Sequence, residues 1–231
     1  MVAGKNSGKP DTWAVPIATV DIVVLKLTDK TLSVLLSRRA EEPAKDAWAL
    51  PGSFIRSNED RSLEDAARRT LASKAQARSP YLEQLQTFGG PDRDPRGWSL
   101  TVAYFALLGR DAIEPPGSGR WFEIRKGSVE VDLPFDHKDI LAAALDRVRR
   151  KVEYSSVPVH LLPDAFTLSE LQEVYETLLE RPLDKSAFRK KIAAMDFLEP
   201  IAGEQRRGSN RPAQLFRVRD TRELVLFDRL V

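Results

Sequence analysis

The apolar pattern of this chain changes period once, and that change divides it into two dissimilar units. Residues 15–27 (VPIATVDIVVLKL) are β-branched and apolar, the signature of a strand. Thr28-Asp29-Lys30 reads as a turn and residues 32–36 resume the strand signal, which makes a hairpin. Leu50-Pro51-Gly52-Ser53 breaks the chain ahead of a helical run over 63–71, with Leu63, Ala66, Ala67 and Leu71 apolar. Residues 99–108 form another long strand, and Trp121-Phe122-Glu123-Ile124 a short one after a Pro- and Gly-rich loop. Helical spacing then takes over. Asp136 is placed to cap a helix over 137–151, with Leu141, Leu145 and Val148 on one stripe and a run of cations toward its C-terminus, as the helix dipole favours. This helix closes a first domain, 11–154; residues 155–231 form the second.

In the second domain Thr167-Leu168-Ser169-Glu170 is a capping box, followed at helical spacing by Leu171, Val174, Tyr175 and Leu178. A turn at 180–183 leads to a helix capped by Asp184, whose inward face is Phe188, Ile192 and Met195. Its opposite face carries Lys185, Ser186, Arg189 and Lys190. Two short strands, 197–201 and 213–218, then flank a loop at 203–212 that holds Arg206, Arg207 and Arg211. Helix, turn, basic helix and basic-tipped hairpin is the order of a winged helix-turn-helix, whose second helix enters the DNA major groove.

Charge supports that order. The net charge is only +2, yet residues 181–222 hold eleven Lys and Arg against five acids. Such an excess is the footprint of a polyanion partner. Double-stranded DNA fits better than a single strand, because no aromatics interleave the cations. The absence of cysteine removes disulfides, thiolate nucleophiles and Cys-based zinc sites, and two histidines, His137 and His160, leave little for imidazole metal sites. No window approaches the roughly 18 consecutive apolar residues of a membrane span, so a cytoplasmic protein without membrane contact is expected.

In the first domain, Trp48-Ala49-Leu50-Pro51-Gly52-Ser53-Phe54 and the following Glu64-Asp65-Ala66-Ala67-Arg68-Arg69-Thr70-Leu71 resemble the Nudix hydrolase box, G-x(5)-E-x(7)-R-E-U-x-E-E-x-G-U, where U is aliphatic. Its three carboxylates, at i, i+3 and i+4 on one helix face, suit Mg²⁺, which takes hard oxygen ligands beside phosphate. With Arg69 as the box arginine, Thr70, Ser73 and Lys74 occupy the three glutamate positions and Gln76 the glycine position. From residue 66 to 82 there is no acid at all, so no metal site and no catalytic residues are expected there. The cations Arg68, Arg69 and Lys74 could still attract a diphosphate.

A decayed Nudix box followed by a basic winged helix resembles the NrtR family, the Nudix-related transcriptional regulators of NAD metabolism. Further matches are Val20-Asp21-Ile22-Val23, Asp92-Arg93-Asp94-Pro95-Arg96-Gly97-Trp98, Phe135-Asp136-His137, Leu161-Leu162-Pro163 and Phe166-Thr167-Leu168-Ser169-Glu170-Leu171. The resemblance implies an α+β protein: a Nudix-like α/β/α sandwich with a mixed sheet, then the winged helix-turn-helix. It further implies a homodimeric repressor of genes for NAD synthesis or salvage that binds a palindromic operator, without a cofactor, and senses ADP-ribose or a related nucleotide. Candidate effector residues are Arg38, Arg39, Arg69 and Lys74 for phosphate, and Phe54 and Tyr104 for the base; strand-end solvation and core packing are the ordinary alternatives. Candidate DNA contacts are Lys185, Ser186, Arg189, Lys190, Arg206, Arg207 and Arg211. Two other functions compete: a hydrolase drawing metal ligands from Glu59, Glu64, Asp65 or Glu83, and an adaptor whose basic end meets RNA or protein.

Overall fold

A computed structural model describes residues 15–76, 81–110, 117, 119–206, 212–219 and 224–228. Strands β1 (Ile17–Thr28) and β2 (Thr31–Arg38) form the expected hairpin. Its turn residues, Asp29 and Lys30, both take positive φ (47° and 64°), as a two-residue hairpin turn of matching twist requires. β1 is the spine of the sheet. It pairs in parallel with β6 (Ser99–Leu108) from Ile17↔Ser99 to Lys26↔Leu108, and its first half also pairs with β4 (Gly52–Phe54). β2 carries β3 (Trp48–Ala49) and β7 (Gly119–Glu123), while β5 (Tyr81–Gly90) runs antiparallel to β6. The result is a seven-stranded mixed sheet.

Helix α1 (Leu63–Ala75) lays Ala66, Ala67 and Leu71 on Val20, Ile22, Val24, Leu35 and Val102. Helix α2 (His137–Val152) covers the other face, where Val23, Leu25, Phe105 and Leu107 meet Ile140, Leu141, Ala144 and Val148. Alternate residues of β1 are therefore buried against different helices, which is why its sequence is an unbroken apolar run instead of an alternating one. α1 outruns the expected 63–71 by one turn, ending where Gln76 enters the left-handed region at φ 47°. α2 starts where expected, but the carboxylate of Asp136 makes no capping hydrogen bond. Both its oxygens are taken by Arg93, each at 2.8 Å.

The second unit begins with a 3-10 helix (Val157–Leu161) and continues with α3 (Leu168–Leu179), α4 (Lys185–Ala194), β8 (Leu198–Arg206) and β9 (Ala213–Val218). The α3 capping box forms as read, with Glu170 N–H on Thr167 Oγ1 at 3.1 Å and Thr167 N–H on Glu170 Oε2 at 2.8 Å. Asp184 caps α4 through the Ala187 amide at 2.7 Å. Leu171, Val174, Tyr175, Phe188 and Ile192 join the same apolar cluster as α2, so the two units share one core. β8 is longer than the expected 197–201. Its register breaks between Pro200 and Gln205, around Gly203 at φ 76°, and pairing resumes with Gln205↔Gln214 and Arg206↔Ala213. Arg206 thus ends a strand instead of standing on a loop, while Arg207 and Arg211 lie outside the described residues.

Candidate nucleic-acid and effector sites

The decayed box sits where β4 meets α1. Thr70 is fully buried, donates to the Ala66 carbonyl at 2.7 Å and shares a 2.6 Å hydrogen bond with Ser53. Ser73 turns its hydroxyl back to the Thr70 carbonyl, and Lys74 is exposed one turn beyond. The three positions that should present carboxylates to a metal hold two hydroxyls spent on their own neighbourhood and a cation, a set that does not fit Mg²⁺. Among the described residues no group of three or more His, Asp or Glu side chains is arranged to hold a metal ion. The carboxylates considered as replacements are dispersed. Glu59 pairs with Arg56 and Glu64 with Arg68, while Glu83 lies on the opposite face of the sheet between Arg147 and Lys151 of α2. Asp65 has no metal-ligating neighbours at its position in the first turn of α1.

Arg69 is the structural centre of the box. It forks onto Asp60 at 2.8 and 2.7 Å, reaches Ser53 Oγ at 3.3 Å and donates to the Phe54 carbonyl at 3.1 Å. Its hydrogen bonds hold the Asp60 carboxyl down at about 2, and the carboxylate in turn raises the arginine. A Cβ at Gly52 would stand 2.0 Å from Asp21 Oδ1, so any larger residue there has to displace that buried carboxylate.

Asp21 belongs to a buried polar cluster that the sequence did not disclose. The Arg93 side chain, 9% exposed, lies 3.8 Å from Asp21 and grips Asp136. His137, the first residue of α2, is 3% exposed and accepts the Leu50 amide on Nδ1 at 3.0 Å. Burial lowers its pKa, outweighing the pull of Asp21 and Asp136, so it serves here as a neutral acceptor. No local pattern signals this cluster; the partners are 43 to 116 residues apart, as Arg93–Asp136 and Asp21–His137 show.

The remaining effector candidates separate. Arg38, Arg39, Phe54 and Arg69 gather at the end of the sheet where β1 starts and β2 finishes. Arg38 binds the Asp46 carbonyl at 3.1 Å; Arg39 binds the Pro43 carbonyl at 2.8 Å and lies 4.9 Å over the Phe135 ring. Phe54 is 51% exposed with Arg96 above it at 5.2 Å, and beside them Trp98 borders a hollow of about 490 Å³. Tyr104 is placed otherwise: only 4% exposed, it belongs to the core beneath α1 and leaves no ring face open to a base.

On the winged-helix side, Lys185, Ser186, Arg189 and Lys190 are all exposed on α4. Among the described residues no acid pairs with any of these three cations. Arg206 is different: it pairs with Glu170 and donates to the Ala165 carbonyl. The joint with the Nudix-like unit is also ionic, with Lys30 and Arg110 at 3.8 and 3.7 Å from Glu173 of α3. No described helix is long and apolar enough to cross a membrane.

The chain matches the NUDIX domain over residues 16–144 and the NrtR DNA-binding winged helix domain over 158–218. It is 39% identical over 206 residues to the ADPR responsive transcriptional repressor NtrR of Acinetobacter baylyi, covering 87% of this chain and 82% of that one. It superposes on Shewanella oneidensis NrtR complexed with a 27mer DNA with a TM-score of 0.86 and 38% identity, over 92% of this chain and 98% of the other. The NUDIX domain of the same Shewanella protein, complexed with ADP ribose, matches with a TM-score of 0.55 and 35% identity over 62% of this chain and 94% of its own.

Proposed function

Because this chain belongs to the NrtR family, we propose that it is a DNA-binding repressor of NAD synthesis or salvage genes whose Nudix domain senses ADP-ribose without hydrolysing it. The observation that carries the reading is the contrast between a box stripped of metal ligands and an α4 face whose Lys185, Arg189 and Lys190 meet no acid among the described residues, joined through one core. Lys185, Arg189 and Lys190 meet the DNA, Arg189 at a base edge, and Ser186 adds a hydroxyl. The effector lies at the sheet end, with Arg38 and Arg39 toward its diphosphate and Phe54 against its base; Arg69, already forked on Asp60, holds the Phe54 backbone in place, and Lys74 contributes charge at longer range. The protein acts as a homodimer on a palindromic operator, since a two-fold protein reads half-sites about 34 Å apart and a modest rotation of one winged helix spoils that spacing.

Calorimetry of ADP-ribose with free protein and with the protein–DNA complex tests this reading, beside an assay of Mg²⁺-dependent ADP-ribose hydrolysis. Typical coupling lowers operator affinity by about 5- to 150-fold at saturating ligand, and linkage lowers ADP-ribose affinity by the same factor in the complex. Equal affinities in the two titrations end the sensor reading. Turnover near the ordinary enzymatic range, about 1 to 10³ s⁻¹, ends the non-catalytic one.

A further inference from the structure

The outer half of β8 is held in place by very little apolar contact. From Ala202 to Arg206 every residue of β8 is exposed; beyond the bulge only Gln205↔Gln214 and Arg206↔Ala213 pair with β9, and the Gln214 amide bridges the bulge to the Ile201 and Glu204 carbonyls at 2.8 and 3.3 Å. What fixes the end of β8 to the rest of the unit is the side chain of Arg206. It pairs with Glu170 Oε1 and donates from Nη2 to the Ala165 carbonyl at 3.1 Å. Glu170 is itself committed: its side chain is 19% exposed, and its second oxygen closes the capping box at the start of α3. Next to Ala165, Phe166 exchanges backbone hydrogen bonds with Phe216 of β9 at 3.0 and 2.7 Å. One guanidinium therefore ties β8 to the short stretch before α3 to which β9 is already tied.

We propose that Arg206 is a positioning residue for the wing and not one of its phosphate contacts, an assignment that rests on the DNA-binding reading above. A phosphate brought to this guanidinium would also be brought to Glu170, whose carboxylate repels it. Releasing Arg206 to the DNA would leave that half-sheltered carboxylate without its cation. A cation already neutralised inside the protein releases no counterion from DNA, so it adds nothing to the salt dependence of binding. Its contribution is geometric, through the fork that an arginine, unlike a lysine, presents to two acceptors at once.

The test measures affinity for an operator fragment, selected by binding from genomic DNA, across a salt series. The proteins are wild type, Arg206→Ala, Arg206→Lys, Glu170→Gln, the Arg206→Ala/Glu170→Gln pair and Lys190→Ala. Glu170→Gln keeps an acceptor for the Thr167 amide, so the helix cap survives. Arg206→Ala is expected to weaken binding about ten- to a hundredfold, the range for a hydrogen bond to a charged group, with the log–log salt slope unchanged. Glu170→Gln gives a loss in the same direction, the double variant loses no more than the worse single, and Arg206→Lys, which keeps the charge without the fork, does not restore affinity. Lys190→Ala, at a phosphate contact, lowers the magnitude of a dimer's slope by about 1.8, from roughly 0.9 per contact. Undiminished affinity in Arg206→Ala, a slope reduced as in Lys190→Ala, rescue by lysine, or tighter binding by Glu170→Gln each overturns the assignment. A flat slope in wild type instead overturns the DNA-binding reading beneath it.

Discussion

Helices α1 and α4 both present cations to solvent, but most of those on α1 are already held by acids of their own unit. On α1, Arg68 is bound by Glu64 at 2.6 Å and Arg69 is forked by Asp60. On α4, Lys185, Arg189 and Lys190 have no such acid among the described residues. The acid-free stretch at 66–82 made α1 look cationic, but its counter-charges sit just upstream, one at i−4 and one nine residues back. Charge counted along a chain differs from charge left over after folding: among the described residues α4 keeps Lys185, Arg189 and Lys190 without an acid partner, and α1 only Lys74.

The sharpest way to break that contrast is to remove the α4 surplus. Replacing Lys185, Arg189 and Lys190 together by alanine should flatten a dimer's log–log salt slope by about 3.6, from roughly 0.9 per phosphate contact over the four made by Lys185 and Lys190. A slope that survives this change places the DNA surface elsewhere. Next in size, Arg189→Ala should cost about 1–3 kcal/mol per half-site and relax discrimination at one base position, read by competition between operator variants.

The α1 side is tested through packing. Thr70→Glu, which puts a box carboxylate back into a fully buried position, should destabilise by about 1–3 kcal/mol in denaturant titrations, whereas Lys74→Glu on the exposed side should be near neutral. Equal effects would mean that the box helix can still open toward a metal. The smallest effect concerns acid. The Asp60 carboxyl is held at about 2 against an ordinary 3.8, so its pairing with Arg69 stabilises the fold above about pH 4 and is lost as the pH falls toward 2. Thermal melts over that window should show the step in wild type and not in Arg69→Gln.

What the sequence disclosed was what neighbours decide. Thr167 and Glu170 are three residues apart, so their reciprocal cap can be read directly; the hairpin at Asp29-Lys30 and the helix after Asp184 are equally local. The family likeness, spread over segments in a fixed order, located both domains' folds. What stayed hidden depended on distant partners. Asp136 has the right type and place for a helix cap, but Arg93, arriving from another loop, takes its carboxylate. His137 became a buried acceptor because the Leu50 amide comes to it. β5 carries only Leu85 fully inside, so its pattern was too weak to announce a strand. Arg206 looked like a loop-tip cation because nothing local reveals Glu170, 36 residues away, as its partner.

The shared core has a consequence for how such proteins can be recombined. The Phe227 amide donates to the Tyr154 carbonyl at 2.9 Å across the covalent junction between the units, and just beyond it the Tyr175 hydroxyl donates to the Ser155 carbonyl at 3.0 Å while Ser156 and Val225 exchange hydrogen bonds at 2.9 and 3.1 Å. The junction in the gene is therefore not a seam in the solid. A chimera cut there would strip α2 from Leu171, Val174 and Tyr175 and graft an incomplete reader onto a foreign sensor. Carrying α2 with the winged helix gives the transplant its own floor, and a new sensor then has to be fitted to the sheet-facing side of that helix, which becomes the interchangeable part.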